Sequence, residues 1–91
     1  MNHLSQGVFR SPPKADLMAA LQALGAPNGV DTHHHFQPIG LSWVRWTSDR
    51  QVALHTWPEH QLVTVDVLAP HAVDLAEALA GLGWTRLEES P

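Results

Sequence analysis

Apolar residues follow two different periods along this chain and divide it into helical and extended stretches. The ten-residue pattern Asp-Leu-x-x-Ala-Leu-x-x-Leu-Gly occurs twice, from Asp16 to Gly25 and from Asp74 to Gly83. Spacings of four and three put Leu17, Leu21 and Leu24 on one helical face, and Leu75, Leu79 and Leu82 on another. The glycine ending each copy suits the left-handed residue that closes a helix. Ser11-Pro12-Pro13 precedes the first copy, where serine can cap and proline can open a helix, and Pro27 cannot continue it.

Between the two helices the period falls to two. Alternation and β-branched residues predict strands at Thr32–Gln37, Leu41–Thr47, Gln51–Thr56 and Leu62–Leu68, with weaker ones at Leu4–Phe9 and Trp84–Glu88. The order of elements predicts an α+β two-layer sandwich, an antiparallel or mixed sheet with both helices on one face and an internal duplication. The sheet's other face is expected to hold part of Trp43, Val44, Trp46, Val52, Leu54, Val63, Val65 and Val67. That surface is too apolar to leave in water and predicts a face-to-face dimer, with Val65 as a residue to test at the interface. Trp43 and Trp46 lie three apart and so point to opposite faces, one to the core and one to the interface.

Composition narrows the classes. With 91 residues the chain reads as one domain, 1–91, and a domain of this size buries only roughly 60–65% of its unfolded surface. Nine acidic against five basic residues, scattered rather than clustered, argue against nucleic acid. Without a long apolar run or a basic start followed by an apolar core, the expectation is a cytoplasmic protein without a membrane partner. Cysteine is absent from the sequence, which excludes disulfides, thiolate metal sites and a cysteine acid or nucleophile.

Two motifs carry a family resemblance. His55-Thr56-Trp57-Pro58-Glu59 is followed by Val65-Asp66-Val67, and upstream stands His34-x-Phe36-x-Pro38-x-Gly40-x-Ser42. From His33 to about His71, without gaps, the chain resembles the small prokaryotic S-adenosylmethionine decarboxylases of polyamine biosynthesis. The resemblance implies a pyruvoyl cofactor made when a proenzyme cuts itself before a serine, and it places that serine at Arg50, after Asp49. Arginine has no hydroxyl to attack the preceding carbonyl. The family's later acid cysteine falls at Pro70. His55 and Ser42 match the processing histidine and its partner serine, and are the candidate catalytic residues.

The expectation is therefore a decarboxylase-like paralogue without pyruvoyl or other cofactor, whose own catalysis is left open. It would pair as a homodimer, or as a heterodimer with an active relative. Arg50, Glu59 and Trp57 are the candidate ligand-binding residues, for an S-adenosylmethionine-like or anionic small molecule. Arg50 offers a fixed fork to a carboxylate or phosphate, and its ordinary alternative is a salt bridge to Asp49. Solvated charge is the alternative for Glu59, and a structural turn for Trp57 and Pro58. Two rival functions are an active decarboxylase processed at Ser48, two residues before Arg50 on the same strand face, and a histidine-based metal or small-molecule module. The latter would draw on His33, His34, His35, His55 and His60, but neighbours on a strand point to opposite faces, so at most His33 and His35 share a side. No native metal is expected.

Overall fold

Aspartate, not serine, starts both helices. The computed structural model describes residues 2–37 and 39–87. In it α1 runs Leu17–Ala23 and α2 runs Leu75–Ala80. Asp16 accepts a hydrogen bond from the Ala19 amide at 3.0 Å, and Asp74 one from the Glu77 amide at 3.1 Å. The first residue of the repeated pattern is thus the N-cap, which satisfies an amide that has no partner within the helix. Ser11 lies upstream of the helix, where its amide donates to the Gln61 carbonyl. Gly25 and Gly83 close the repeats at φ +83° and +79°.

Six strands form one sheet. They are β1 His3–Arg10, β2 Val30–His35, β3 Leu41–Trp46, β4 Gln51–Trp57, β5 Leu62–Ala69 and β6 Thr85–Arg86, in spatial order β2-β3-β4-β5-β1-β6. Every pairing is antiparallel. The last strand is shorter than the pattern predicts, and Glu88 lies outside the described residues. The expected strand through Gln37 ends at His35, because the Phe36 amide turns to the Gly40 carbonyl.

The two helices cover one face of this sheet. Leu21, Leu24, Leu75 and Leu79 pack there with Phe9, Val52, Leu54, Val63, Val65, Val67 and Trp84 in a single core. This corrects the expected face of the valines. Val52, Leu54, Val63, Val65 and Val67 are fully buried beneath the helices rather than on the outer face. Period two fixes which residues share a face but not which face the helices take. Direct pairing of Val52 with Val67 and of Leu54 with Val65 makes that face the more apolar, so the helical leucines bury there. The open face keeps the other half of each strand, including Val44 and Trp46, and Trp46 is 41% exposed. Trp43 lies on the closed side, partly buried against the core.

Beyond the helices, at the β2–β3 edge, an ion pair takes over from apolar packing. Arg45 is 5% exposed, and its guanidinium donates to both Asp31 oxygens at 2.6 and 2.8 Å. It also donates to the carbonyls of Ala26 and Pro27, tying the α1–β2 connection to the sheet. Hydrogen bonding from Arg45 holds the Asp31 carboxyl below the usual carboxylate range. Among the described residues no helix is long and apolar enough to cross a membrane.

Candidate functional site

A polar row crosses the open face. Antiparallel register sets Gln6 on β1 opposite Asp66 on β5, Ser42 on β3 opposite His55 on β4, and His34 on β2 opposite Ser42. Asp66 and His55 lie on the same face of neighbouring strands, one step off direct pairing. Gln6 Nε2 donates to Asp66 Oδ1 at 3.0 Å. The other oxygen, Oδ2, sits 3.9 Å from His55 Nε2, and His55 Nδ1 is 2.6 Å from Ser42 Oγ. The last contact is short for a hydroxyl–imidazole hydrogen bond and joins the two retained family positions. His55 and Asp66 are each 35% exposed, so the row is open to a ligand.

At the end of β4 the row meets an aromatic cleft of about 430 Å³ lined by Phe36, Gln37, Ile39, Thr56, Trp57 and Glu59. Trp57 is 47% exposed, which sets it on the cleft wall rather than buried as a cover for the sheet's end. The Thr56 hydroxyl accepts from the Leu41 amide at 2.9 Å and pins β3 to β4 beneath it. His34 stands edge-on to Phe36 with ring centroids 4.6 Å apart, linking the row to the cleft. The predicted residues Trp57 and Glu59 therefore lie together, and His55 and Ser42 lie together nearby on the same sheet. Phe36, Asp66 and Gln6 were not singled out as site residues from sequence, although strand period and pairing register would place them on these surfaces.

Arg50 is held elsewhere. It belongs to the tight β3–β4 turn, where the Thr47 hydroxyl accepts from the amides of Asp49 and Arg50. Its guanidinium donates to Asp49 through Nε at 3.1 Å and Nη2 at 3.2 Å, and through Nη1 to the Leu24 carbonyl at 3.1 Å. Arg50, followed by Thr47, holds the Asp49 carboxyl below its usual range. A Cβ on Gly25 would come within 2.5 Å of Nη1, so the guanidinium packs directly on that glycine. Ser48 is exposed in this turn rather than on a strand, which removes the shared strand face expected for Ser48 and Arg50. Arg50 and Pro70 line one depression with Thr47, Ser48, Asp49 and Leu68. The two positions where the family resemblance places serine and cysteine are thus neighbours in space, and neither side chain carries a hydroxyl or thiol. Arg50 itself cannot supply a pyruvoyl group, which is made from the hydroxyl residue it replaces.

The other histidines are dispersed. His33 stacks edge-on to Trp43 on the closed side at 4.6 Å, away from His34 and His55. Among the described residues no three His, Asp or Glu side chains gather in a metal-binding group.

An antiparallel α+β sandwich with a serine–histidine pair on its open face defines a class, and comparison supplies the family. A family model described as S-adenosylmethionine decarboxylase matches residues 14–83, and the chain belongs to that family. The S-adenosylmethionine decarboxylase proenzyme of Aquifex aeolicus is 44% identical over 39 residues, 42% of this chain and 29% of that protein. The proenzyme of Pseudomonas paraeruginosa is 43% identical over 51 residues, 56% of this chain and 31% of that protein. The matched stretch thus spans less than a third of either relative's length. The crystal structure of the Aquifex aeolicus adenosylmethionine decarboxylase superposes with a TM-score of 0.58 at 24% identity, covering 88% of this chain and 79% of that one. That likeness establishes the shared fold.

Proposed function

We propose that this chain is a member of the S-adenosylmethionine decarboxylase family that does not self-process. It serves cytoplasmic polyamine metabolism by binding a ligand or pairing with an active relative. The observation that carries this reading is Arg50, where the family resemblance places the serine that becomes pyruvoyl, with its guanidinium engaged by Asp49 and the Leu24 carbonyl. An N-to-O shift requires a hydroxyl or thiol nucleophile, and this position has neither. The chain's own residues keep a different capacity. Ser42 and His55 remain hydrogen-bonded, and the cleft of Phe36, Trp57 and Glu59 offers aromatic faces and a carboxylate beside them.

A partner fits the same surface. Leu4, Val44, Trp46 and Leu68 flank the polar row on the open face, and Leu4 is 58% exposed. Covering these residues with a second copy, or with an active relative of like fold, buries apolar area and turns the row into the wall of a cleft.

Intact mass under denaturing conditions tests the reading. The expected result is one uncut polypeptide. Two fragments meeting between Thr47 and Gln51, the downstream one blocked by a carbonyl, would overturn it. Light scattering at micromolar concentration should return a dimer, and a monomer would leave the active relative as the partner to seek.

A further inference from the structure

The row on the open face carries one carboxylate, Asp66, and no lysine or arginine is paired with it among the described residues. Ser42 Oγ lies 2.6 Å from His55 Nδ1, and an Asp66 carboxylate oxygen lies 3.9 Å from the far nitrogen of His55. A negative charge at that position favours a proton on Nε2, which leaves Nδ1 to accept from the Ser42 hydroxyl. Ser42 Oγ then keeps its lone pairs, and Asp66 Oδ2 accepts no hydrogen bond from another described residue. Gln6 completes the arrangement, donating to Oδ1 and holding the carboxylate in place.

The arginines do not balance this charge. Arg45 is paired with Asp31 on the closed side, and Arg50 with Asp49 and the Leu24 carbonyl. Arg86 donates to the Gln6 carbonyl from the closed side, where it lies against Gly7. On the open face Arg10 points at the His60 carbonyl, toward the other end of β1 from His3. Lys14 lines a separate cavity between the β1–α1 connection and the Pro58–His60 turn. An anion at the row would meet an unbalanced carboxylate, whereas a cation would meet that charge on Asp66 Oδ2 and the Ser42 hydroxyl oxygen.

We infer that Asp66, held by Gln6, is a specificity-determining residue of this site and makes it select a protonated amine over an anion. The inference rests on the ligand-binding reading above and replaces the anion preference that Arg50 suggests in the sequence. Asp66 acts in two ways: it supplies the charge that the ammonium faces, and it favours the His55 tautomer that frees the Ser42 oxygen.

Two measurements on the full chain test it. In thermal scans and calorimetric titration at matched ionic strength, spermidine should bind and raise Tm, and inorganic pyrophosphate should not. Asp66→Asn keeps the shape and the Gln6 contact, and should weaken spermidine binding by about tenfold or more, as loss of a charged hydrogen bond does. Nitrogen-15 spectra should show the Nε2–H tautomer of His55 in the parent and a mixture in Asp66→Asn, a signature that a purely structural role for Asp66 would not move. Pyrophosphate binding as well as spermidine, or spermidine binding unchanged in Asp66→Asn, would overturn the amine site and leave the ligand-binding reading standing. If neither probe binds the folded parent, the amine site is overturned, while the non-processing reading stands or falls on the intact mass.

Discussion

The two faces of the sheet are written by alternate residues of the same strands and have opposite chemistry. Val52, Leu54, Val63, Val65 and Val67 face the helices and are fully buried, whereas His55, Thr64 and Asp66 between them lie on the other face and stay partly exposed. The closed face is held by burial, with each valine or leucine contributing roughly 1.5–3 kcal/mol. The open face is held by a few hydrogen bonds, and its polar row is not needed to form the core. The residues that fold the protein and those that give it chemistry are therefore separable at single-residue resolution along β4 and β5.

The largest effect should come from crossing that boundary. Val65→Lys places an ammonium in the core, at a cost of several kcal/mol. That is comparable to the whole stability expected for a chain of this length, about 5–14 kcal/mol. Thr64→Lys, one residue away on the open face, should leave the fold intact and weaken assembly. Circular dichroism and thermal scans should find the first variant unfolded and the second folded. A folded Val65→Lys with a Tm near the parent's would erase the distinction between the faces.

Much of this architecture is legible in the sequence, and the gaps have physical causes. The Asp-Leu-x-x-Ala-Leu-x-x-Leu-Gly pattern marks both helices because a 3.6-residue period and a closing glycine are local properties. The same pattern hides its own cap, since aspartate in first place reads as part of the repeat until the helix is seen to begin at Leu17 or Leu75. Strand alternation groups Val63, Val65 and Val67 correctly, but the choice of face depends on cross-strand pairing that no single strand contains. The site divides in the same way. Motif resemblance finds Ser42 and His55 and includes Asp66 without giving it a role, while Gln6 joins Asp66 only through register, sixty residues apart in sequence. Arg50 is visible as a lost hydroxyl, yet its direction depends on the Leu24 carbonyl and the bare backbone of Gly25.

A second test probes the closed side where the helices stop. Arg45→Met should cost about 2 kcal/mol near neutral pH. The loss is smaller than for a fully buried pair because Asp31 keeps 23% of its side-chain surface. The Asp31 carboxyl is lowered by its hydrogen bond from Arg45, so the pair's contribution is present above the unfolded-state value of about 3.9 and disappears as pH falls through the lower folded value. Parent and Arg45→Met stabilities should therefore converge in acid, below about pH 4. Denaturant titrations that stay parallel down to pH 2 would show that Asp31 does not carry the linkage.

Gly25→Ala should cost somewhat less, about 1–2 kcal/mol, because φ +83° suits glycine and strains alanine. Part of that cost should belong to Arg50, whose Nη1 would lie 2.5 Å from the new methyl. The double variant with Arg50→Ala should then be more stable than the two single losses added together. Strict additivity would mean that the guanidinium swings clear and does not clamp the β3–β4 turn to the end of α1.

The smallest effect on folding should come from Ser42→Ala, although it removes the shortest contact of the open-face row. A half-buried hydrogen bond contributes about 1 kcal/mol net, and an imidazole that is 35% exposed recovers part of that from water when the hydroxyl is gone. The Tm should therefore move less than in Val65→Lys, Arg45→Met or Gly25→Ala. The imidazole, however, loses the partner at 2.6 Å that orients its Nδ1, and the row loses the oxygen offered to an ammonium. Spermidine binding should fall while stability barely changes. Calorimetric titration beside a thermal scan separates the two: a large drop in Tm with unchanged binding would make Ser42 and His55 part of the scaffold, and the open face would then differ from the closed one only in composition.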